Sequence, residues 1–330
     1  MDPQVILMST ENSCKAAPER AGATIAQRSS WPDWVANSAR ALFWIVLAIT
    51  LFESSRGSSG VVAARNQILD HLQQERKSRV IAMIHGKDTV TLFGIPVSSS
   101  ITMEDSEAVL RAIRLTPPDQ PIDMILHTPG GLVLAAEQIA KALADHKGKV
   151  TVFVPHYAMS GGTLIALAAD EIVMDPNAVL GPVDPQIGSM PAASIVKLTE
   201  LKKPAQVSDE MLVLADVSAK ARVQVTAFVT QTLLKHFPQD KASALATVLT
   251  DGRFTHDYPI TVDTAKGFGL RISETMPMEI YQLMDLYPQT GTGRPTVLYV
   301  PFRQAQQASP EPAIIPSPSG APPQVPAQKQ

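Results

Sequence analysis

Two stretches of the sequence indicate the fold: Ile122-Asp-Met-Ile-Leu-His-Thr-Pro-Gly-Gly131 and Val150-Thr-Val-Phe-Val-Pro-His-Tyr-Ala-Met-Ser-Gly-Gly162. Each begins with an apolar run that is rich in β-branched residues, and each ends in a Gly-Gly corner that opens an apolar, helix-like segment. Each stretch therefore predicts a strand, a turn and a helix. Similar runs at 80–84 and 171–174 alternate with helical patterns. This alternation predicts parallel βαβ units in an α/β fold.

The two corners carry the residue types of a nucleophile beside an oxyanion hole. A Gly-Gly corner lets backbone N–H groups approach a negatively charged oxygen, which makes Gly131 and Gly161 candidate donors. Ser160 is the candidate nucleophile, although serine is also a common helix N-cap, and only its pairing with the first corner favours catalysis. Ala158 stands where the G-x-S-x-G elbow of α/β-hydrolases needs glycine. The corners therefore predict a serine hydrolase of a different fold.

Histidine is the first residue type to consider as the base for this serine. His127 and His156 end the two predicted strands, so we expect them, with Gly130, to help bind substrate. His256 is followed by Asp257, but adjacent residues on an extended segment point to opposite faces. One of this pair is therefore not expected to orient the other, and no histidine has a decisive position.

Lysine is the alternative base. The pKa of a lysine must fall from about 10.4 towards 7–8, through burial or a neighbouring cation, before it accepts a proton. Lys202 and Lys203 are mutual like-charged neighbours, and a proline follows them. Lys197 and Lys220 are further candidates.

Composition excludes several classes of protein. The chain has 330 residues, a net charge of −3 and one cysteine, Cys14. The charge favours neither nucleic acid nor an acidic partner, and one cysteine excludes an internal disulfide framework and a cysteine-based zinc site. We expect no metal and no other cofactor.

The ends of the chain differ from the body between them. The run Ala41–Phe52 is apolar, and all three tryptophans lie in or just before it, as in a membrane-interface belt. A single membrane anchor is the favoured interpretation, and a signal-peptide core or a buried helix are the alternatives. The predicted organisation is a disordered leader (1–33), a transmembrane helix (34–55), a helical linker (56–78), a catalytic domain (79–290) and a disordered proline-rich tail (291–330).

The segments Ile122–Gly131, Val150–Asp170 and Ala178–Gln186 resemble the serine dehydrogenase proteinase family, within the ClpP-class and signal-peptide-peptidase-A-like serine peptidases. The segment Phe254–Ile260 fits the same family. The resemblance covers roughly residues 79–290. It implies a ClpP/crotonase-like fold of stacked ββα units whose helices cover a mainly parallel sheet.

The resemblance also implies roles for the site residues. Ser160 corresponds to the nucleophile, and Gly131 and Gly161 correspond to the oxyanion donors. ClpP uses a Ser-His-Asp triad, but the segment that matches its histidine region, Gly181–Gln186, contains no histidine. The signal-peptide-peptidase-like members use a Ser-Lys dyad. The distance along the chain from Ser160 to the lysine pair at 202–203 matches the distance between serine and lysine in that dyad. We therefore expect Lys203 to be the base.

The resulting expectation is a membrane-anchored serine endopeptidase that acts on membrane proteins or peptides as a homo-oligomer without a cofactor. The side of the membrane that holds the catalytic domain stays open. Two alternatives come from other classes of protein. One is a crotonase-type enzyme acting on acyl-CoA, which shares the fold and the oxyanion hole. The other is a non-catalytic membrane scaffold.

Overall fold

The computed structural model describes residues 33–86, 91–92, 95–96 and 100–287. The strands are β1 (Arg79–Ile84), β2 (Thr91–Leu92), β3 (Ile95–Pro96), β4 (Ile122–His127), β5 (Val150–Val154), β6 (Tyr157–Ala158), β7 (Glu171–Met174), β8 (Val179–Leu180), β9 (Gln186–Ile187), β10 (Met190–Pro191), β11 (Ile260–Thr261) and β12 (Ile272–Ser273). The helices are α1 (Asp33–Arg76), α2 (Met103–Arg114), α3 (Val133–Ala144), α4 (Gly161–Leu167), α5 (Ala192–Leu201), α6 (Asp209–Leu233), α7 (Gln239–Thr250), α8 (Val262–Gly267) and α9 (Met278–Asp285), with a 3₁₀ turn at Pro204–Gln206.

The central sheet is parallel, as the alternating pattern predicts. Its strand order is β1-β4-β5-β7-β12, and every neighbouring pair runs parallel. In the register, Ile125 of β4 lies opposite Phe153 of β5. Both strands therefore end at the same edge of the sheet, and the two Gly-Gly corners follow at that edge. A smaller sheet of β11, β8 and β6 lies beyond the end of β5.

Each face of the central sheet covers its own hydrophobic core, because side chains alternate along a strand. Ile122, Met124 and Leu126 of β4 belong to the larger core, which α2, α3, α4, α6 and α7 complete. Ile125 faces the other way and packs in a second core with Leu72 of α1 and residues of α9. Helices on both faces explain why the strands read as nearly continuous apolar runs.

An ion pair fixes the end of α1 against the sheet. Asp123 of β4 is buried and accepts hydrogen bonds from Arg76 Nε at 2.5 Å and Ser78 Oγ at 2.6 Å. The Asp123 side chain is 4% exposed and that of Arg76 is 38% exposed, so loss of Arg76 would leave a buried carboxylate without its charged partner. This contact therefore ties the end of α1 to β4.

The chain divides into two units, residues 1–63 and 64–330. The described part of the first unit is the N-terminal portion of α1, where the apolar side chains of residues 42–46 are exposed. None of the described helices is long and apolar enough to cross a membrane. The predicted membrane span at 34–55 lies within α1.

The helices predicted after the two Gly-Gly corners are present as α3 and α4. Ser208 caps α6 by accepting from Met211 N–H, and Gly269 follows α8 at a positive φ of 84°, as expected of a glycine after a helix. Two helices, α5 and α9, were not predicted. Most of the leader (residues 1–32) and the whole tail (291–330) lie outside the described residues.

Candidate active site

The two Gly-Gly corners touch each other at the edge of the sheet. Thr128 and Ala158 form a parallel bridge, in which Thr128 N–H donates to Tyr157 O at 3.2 Å and Met159 N–H donates to Thr128 O at 3.0 Å. These bonds extend the pairing of neighbouring strands into the turns. The first corner is therefore held directly beside Ser160.

Ser160 occupies a strained backbone conformation at the start of α4. Its φ is 52° and its ψ is −115°, a region that non-glycine residues seldom adopt. Its side chain makes no hydrogen bond to the helix end, so it does not act as an N-cap. Strain of this kind costs about 1–3 kcal/mol and concentrates at functional sites. The hydroxyl group is thereby presented at a sharp strand-to-helix turn.

Glycine is required at the corners because no side chain fits there. A Cβ added to Gly130 would lie 2.8 Å from Ser160 Cβ, and one added to Gly131 would lie 2.3 Å from Ile101 N. A Cβ on Gly162 would lie 2.5 Å from Thr128 Cγ2. Such distances are shorter than van der Waals contact, so any substitution must move the corner.

Two backbone N–H groups at this junction are available to a ligand. Gly130 N–H donates to Thr128 Oγ1 and Gly162 N–H donates to Met159 O. In the described part of the chain, the N–H groups of Gly131 and Gly161 enter no hydrogen bond. A side-chain atom at Gly161 would come within 3.7 Å of Gly131 N, so the two groups are close together. Two neighbouring N–H groups without a partner are what an oxyanion hole requires.

A cavity of about 230 Å³ opens beside the corners. Its apolar wall consists of valine, leucine and proline side chains, and its polar residues are Ser160, Asp184, Gln186 and His256. The full lining is Pro129, Gly131, Val133, Ser160, Gly161, Leu164, Val183, Asp184, Pro185, Gln186, Val225 and His256. The cavity thus brings together a strained serine, the Gly-Gly corners and a histidine.

His256 is paired with a buried carboxylate in this cavity. Its Nδ1 lies 2.8 Å from Asp184 Oδ1, and Asp184 is 3% exposed. The other carboxylate oxygen, Oδ2, accepts from Gln186 Nε2 at 2.6 Å. The hydrogen bond to Asp184 raises the pKa of His256, and burial opposes that change. Because a carboxylate only accepts, Nδ1 carries a proton and Nε2 is the nitrogen that binds or releases one.

Two short strands bring His256 to Asp184 across a separation of 72 residues in the chain. Ile260 of β11 pairs with Leu180 of β8 in the smaller sheet. β8 leads directly into the loop of Asp184, and β11 follows the loop of His256. Thr163 ties the Asp184 loop to the serine corner, since its hydroxyl donates to Ala158 O and accepts from Gly181 N–H.

The sequence model of the ClpP-like SDH-type serine proteinases matches residues 32–314. The chain belongs to this family. Two relatives from Methanocaldococcus jannaschii, the uncharacterized proteins MJ0137 and MJ1495, are each 52% identical to it. The first match spans 81% of this chain and 93% of MJ0137, and the second spans 75% of this chain and 85% of MJ1495. The chain is accordingly a serine-type peptidase with a ClpP-like fold.

Solved structures show only a distant likeness. ClpP1 from Listeria monocytogenes is 19% identical, with a TM-score of 0.38, over 62% of this chain and 96% of that one. The 1510-N membrane-bound stomatin-specific protease is 20% identical, with a TM-score of 0.40, over 64% of this chain and 88% of that one.

The lysines predicted as bases lie elsewhere. Among the described residues, no lysine lines the cavity of Ser160. Lys202 and Lys203 are exposed where α5 ends, and Lys203 N–H donates to Gln206 Oε1. Lys220 is exposed and pairs with Asp216 on the same helix. Lys197 is exposed and lines a separate polar depression.

The histidines predicted to bind substrate are also outside the cavity. His127 is fully buried, and its ring packs against Tyr157 with the ring centroids 4.2 Å apart. His156 is exposed and stacks on His127. Gly130, in contrast, is buried directly behind Ser160. The contact of His256 with Asp184 was not predicted, because the two residues are 72 positions apart and the sequence places only Asp257 beside His256.

One group of residues has the composition of a metal site. In the described part of the chain, ligand atoms of His71, Glu75 and Glu279 lie within 4.8 Å of one another, at the surface where α1 meets α9. None of the three lines the Ser160 cavity.

Proposed function

We propose that the chain cleaves peptide bonds with Ser160 as nucleophile, His256 as general base and Asp184 as the residue that orients the histidine. The observation that carries the proposal is the 2.8 Å contact between His256 Nδ1 and Asp184 Oδ1 in the cavity of Ser160. A base held by a buried carboxylate, beside a serine and two free N–H groups, is the arrangement that serine peptidases of unrelated folds share.

The proposed reaction proceeds in two steps. Ser160 Oγ bonds to the scissile carbonyl carbon while its proton passes to His256 Nε2, and Gly131 and Gly161 N–H hold the oxyanion. The C–N bond then breaks, and His256 gives the proton to the leaving amine. Water attacks the acyl-enzyme along the same path and restores Ser160.

The test compares two bases directly. Full-length variants Ser160→Ala, His256→Ala and Lys203→Ala are incubated with a fluorophosphonate–rhodamine probe and with fluorescein-labelled casein. We expect Ser160→Ala and His256→Ala to lose both labelling and cleavage, while Lys203→Ala keeps the rates of the unmodified protein. If Lys203→Ala is inactive and His256→Ala is not, the Ser-Lys dyad predicted from the sequence is the mechanism. If acyl-CoA is retained and Ser160 is never labelled, the crotonase-type alternative is favoured.

The walls of the cavity favour an apolar substrate side chain. Val133, Leu164, Val183 and Val225 line it, and the adjoining rim at Leu132–Leu134 is exposed and apolar. Contacts of this kind favour burial of aliphatic groups by about 25 cal/mol per Å². We therefore propose apolar segments of membrane proteins or peptides as substrates.

A peptide series tests this preference. Fluorogenic peptides that differ only in the residue before the scissile bond are compared, with leucine or valine against lysine or glutamate. We expect the aliphatic peptides to have the higher kcat/KM. Equal values for all four would contradict the proposed substrate class.

Association with a membrane is proposed for the first unit. The side chains of Leu42, Phe43, Trp44, Ile45 and Val46 are each more than half exposed, a concentration of apolar surface that water disfavours. Flotation with phosphatidylcholine vesicles tests the proposal, and L42S combined with W44S is expected to abolish co-flotation while probe labelling of Ser160 persists. Co-flotation of that double variant would contradict the proposed membrane association.

A homo-oligomer remains a prediction, which light scattering on the full chain tests.

A further inference from the structure

A line of hydrogen bonds runs from the start of α2 to the first Gly-Gly corner. His85, just after β1, places its Nε2 3.3 Å from Asp105 Oδ2 and its Nδ1 2.9 Å from Thr128 Oγ1. Thr128 Oγ1 accepts from Gly130 N–H at 3.1 Å. We propose that His85 is a positioning residue of the oxyanion hole that acts through Thr128. The inference rests on the proposed function, because it concerns the same hole.

When the His85 ring is neutral, the donors and acceptors in this line agree in one direction. Gly130 N–H can only donate, so Thr128 Oγ1 accepts from it and is free to donate its own proton. An ionised Asp105 can only accept, so His85 Nε2 carries a hydrogen, and Nδ1 of the neutral ring accepts from the Thr128 hydroxyl. Without that acceptor, Gly130 O, at 3.5 Å, is the only other acceptor that the described residues offer to the hydroxyl proton. His85 therefore determines which way the Thr128 hydroxyl points.

The orientation of Thr128 matters because the corner has no space to adjust. By holding Gly130 N–H, Thr128 directs it away from the cavity and leaves Gly131 N–H as the donor. Gly131 is clamped from its other side by Ile101, whose N–H donates to Gly130 O at 2.8 Å and whose carbonyl accepts from Leu132 N–H at 2.9 Å. A rotation of the corner thus moves the hole relative to Ser160.

Asp105 connects both supports of the corner. Its carboxylate accepts from Thr102 N–H at 2.8 Å in the capping box of α2, next to Ile101. The same oxygen is the one that faces His85. The His85 side chain is 11% exposed and that of Asp105 33% exposed, so the line is partly shielded from water. The Asp105 carboxylate therefore holds the backbone next to Ile101, which contacts Gly131, and also holds the His85 ring, which contacts Thr128.

The test measures the rate of phosphonylation separately from binding of the probe. The full chain is titrated with fluorophosphonate–rhodamine to obtain the maximal labelling rate and the half-saturating concentration. Thr128→Val removes the hydroxyl and keeps the shape of the side chain, and Thr128→Ser keeps the hydroxyl. His85→Leu removes both contacts of the ring, and His85→Asn removes one of them. His146→Asn, whose ring bonds to Gln120 O in another part of the domain, is the control.

We expect Thr128→Val and His85→Leu to lower the maximal rate by about 10- to 100-fold, because a displacement of about 1 Å in a catalytic group costs up to about 100-fold. The half-saturating concentration should change less than about twofold, because a purely transition-state interaction is affected. Thr128→Ser and His85→Asn should recover part of the rate. The inference is overturned if Thr128→Val and His85→Leu match His146→Asn, or if only the half-saturating concentration rises.

The failures of the two proposals are distinguishable. If neither the unmodified protein nor His146→Asn is labelled at Ser160, the proposed function fails. If both are labelled and the variants at positions 85 and 128 label equally fast, only the role of His85 fails. Melting temperatures are measured alongside. If His85→Leu does not fold, Thr128→Val and His85→Asn decide the outcome.

Discussion

The Gly-Gly corners and the pair His256–Asp184 meet at one cavity, but the chain holds them in different ways. The corners are held by close packing of backbone against backbone, with no space for a side chain at Gly130 or Gly131. The pair is held by side-chain hydrogen bonds, and the His256 side chain is 37% exposed. The side of the Gly-Gly corners, the proposed oxyanion side, is therefore rigid, and the side of His256, the proposed base side, depends on electrostatics.

This difference matters for how each side responds to change. Close packing cannot relax by small steps, so one added methyl group moves the backbone of the corner. A hydrogen-bonded base responds instead to the charge and protonation of its partners. Substitutions at the corners should therefore affect fold and rate together, while substitutions at the base should affect rate and pH dependence with less effect on the fold.

The largest effects are expected on the base side and at the nucleophile. Ser160→Ala or His256→Ala should lower kcat by about 10⁶-fold, and Asp184→Asn by about 10⁴-fold, because the histidine then loses its orientation and tautomer. Casein cleavage under saturating conditions measures this, with melting temperature as the check on folding. Near-normal cleavage by Asp184→Asn would show that the buried carboxylate only supports the loop.

A smaller loss of rate, accompanied by a loss of stability, is expected at the corner. Gly131→Ala places a Cβ 2.3 Å from Ile101 N, so the backbone must shift and the N–H donor moves with it. The loss of one oxyanion donor lowers kcat by about 10²- to 10³-fold. Overpacking of this kind costs about 1–3 kcal/mol in the free energy of unfolding.

Urea denaturation and casein cleavage measure the two effects of Gly131→Ala together. Gly267→Ala is the matched control, since its added Cβ meets nothing within 4 Å and its φ is not positive. A variant at 131 with normal stability and normal rate would contradict the packing argument.

A shift in pH dependence is the third expected effect. The hydrogen bond to Asp184 raises the pKa of His256 above its ordinary value of about 6.5, so activity should rise with pH through that raised pKa as the ring loses its proton. By linkage, the same interaction stabilises the folded protein below about pH 6.5, and this stabilisation is lost as pH rises through the folded pKa.

Nuclear magnetic resonance of the histidine ring in Ser160→Ala gives the pKa directly. Adding Asp184→Asn should move the midpoint to lower pH, because the main cause of the raised pKa is removed. An unchanged midpoint would place the cause elsewhere.

The contact between the two corners could be predicted from the sequence, and the contact of His256 with Asp184 could not, for a physical reason. A strand followed by Gly-Gly is a local pattern, and the parallel register of β4 and β5 then places Ser160 beside Gly130 without further information. The contact of His256 with Asp184 depends instead on the pairing of β8 with β11, two strands of two residues each. Strands this short leave no periodic signal.

The predictions for lysine and for the neighbouring aspartate show the same limit. Residues 251–259 form turns and bends, so the alternation expected of an extended segment does not apply to His256 and Asp257. The spacing that favours Lys203 is a distance along the chain. In the structure, α5 and the turn at 204–206 leave Lys203 exposed. Helix α5 itself was missed, although it determines where that lysine lies.

The smallest expected effect tests whether the corner is strained at Ser160 itself. Ser160 has a positive φ of 52°, which glycine adopts without the steric cost of a Cβ. Ser160→Gly should therefore raise the free energy of unfolding by about 1 kcal/mol, while Ser160→Ala, which keeps the Cβ, should leave it nearly unchanged. Both variants lack the nucleophile, so the difference between them isolates the backbone. Urea denaturation of the two measures it. A Ser160→Gly variant that is less stable than Ser160→Ala would mean that the packing of Cβ against Gly130 outweighs the strain, and that close packing alone holds this side of the site.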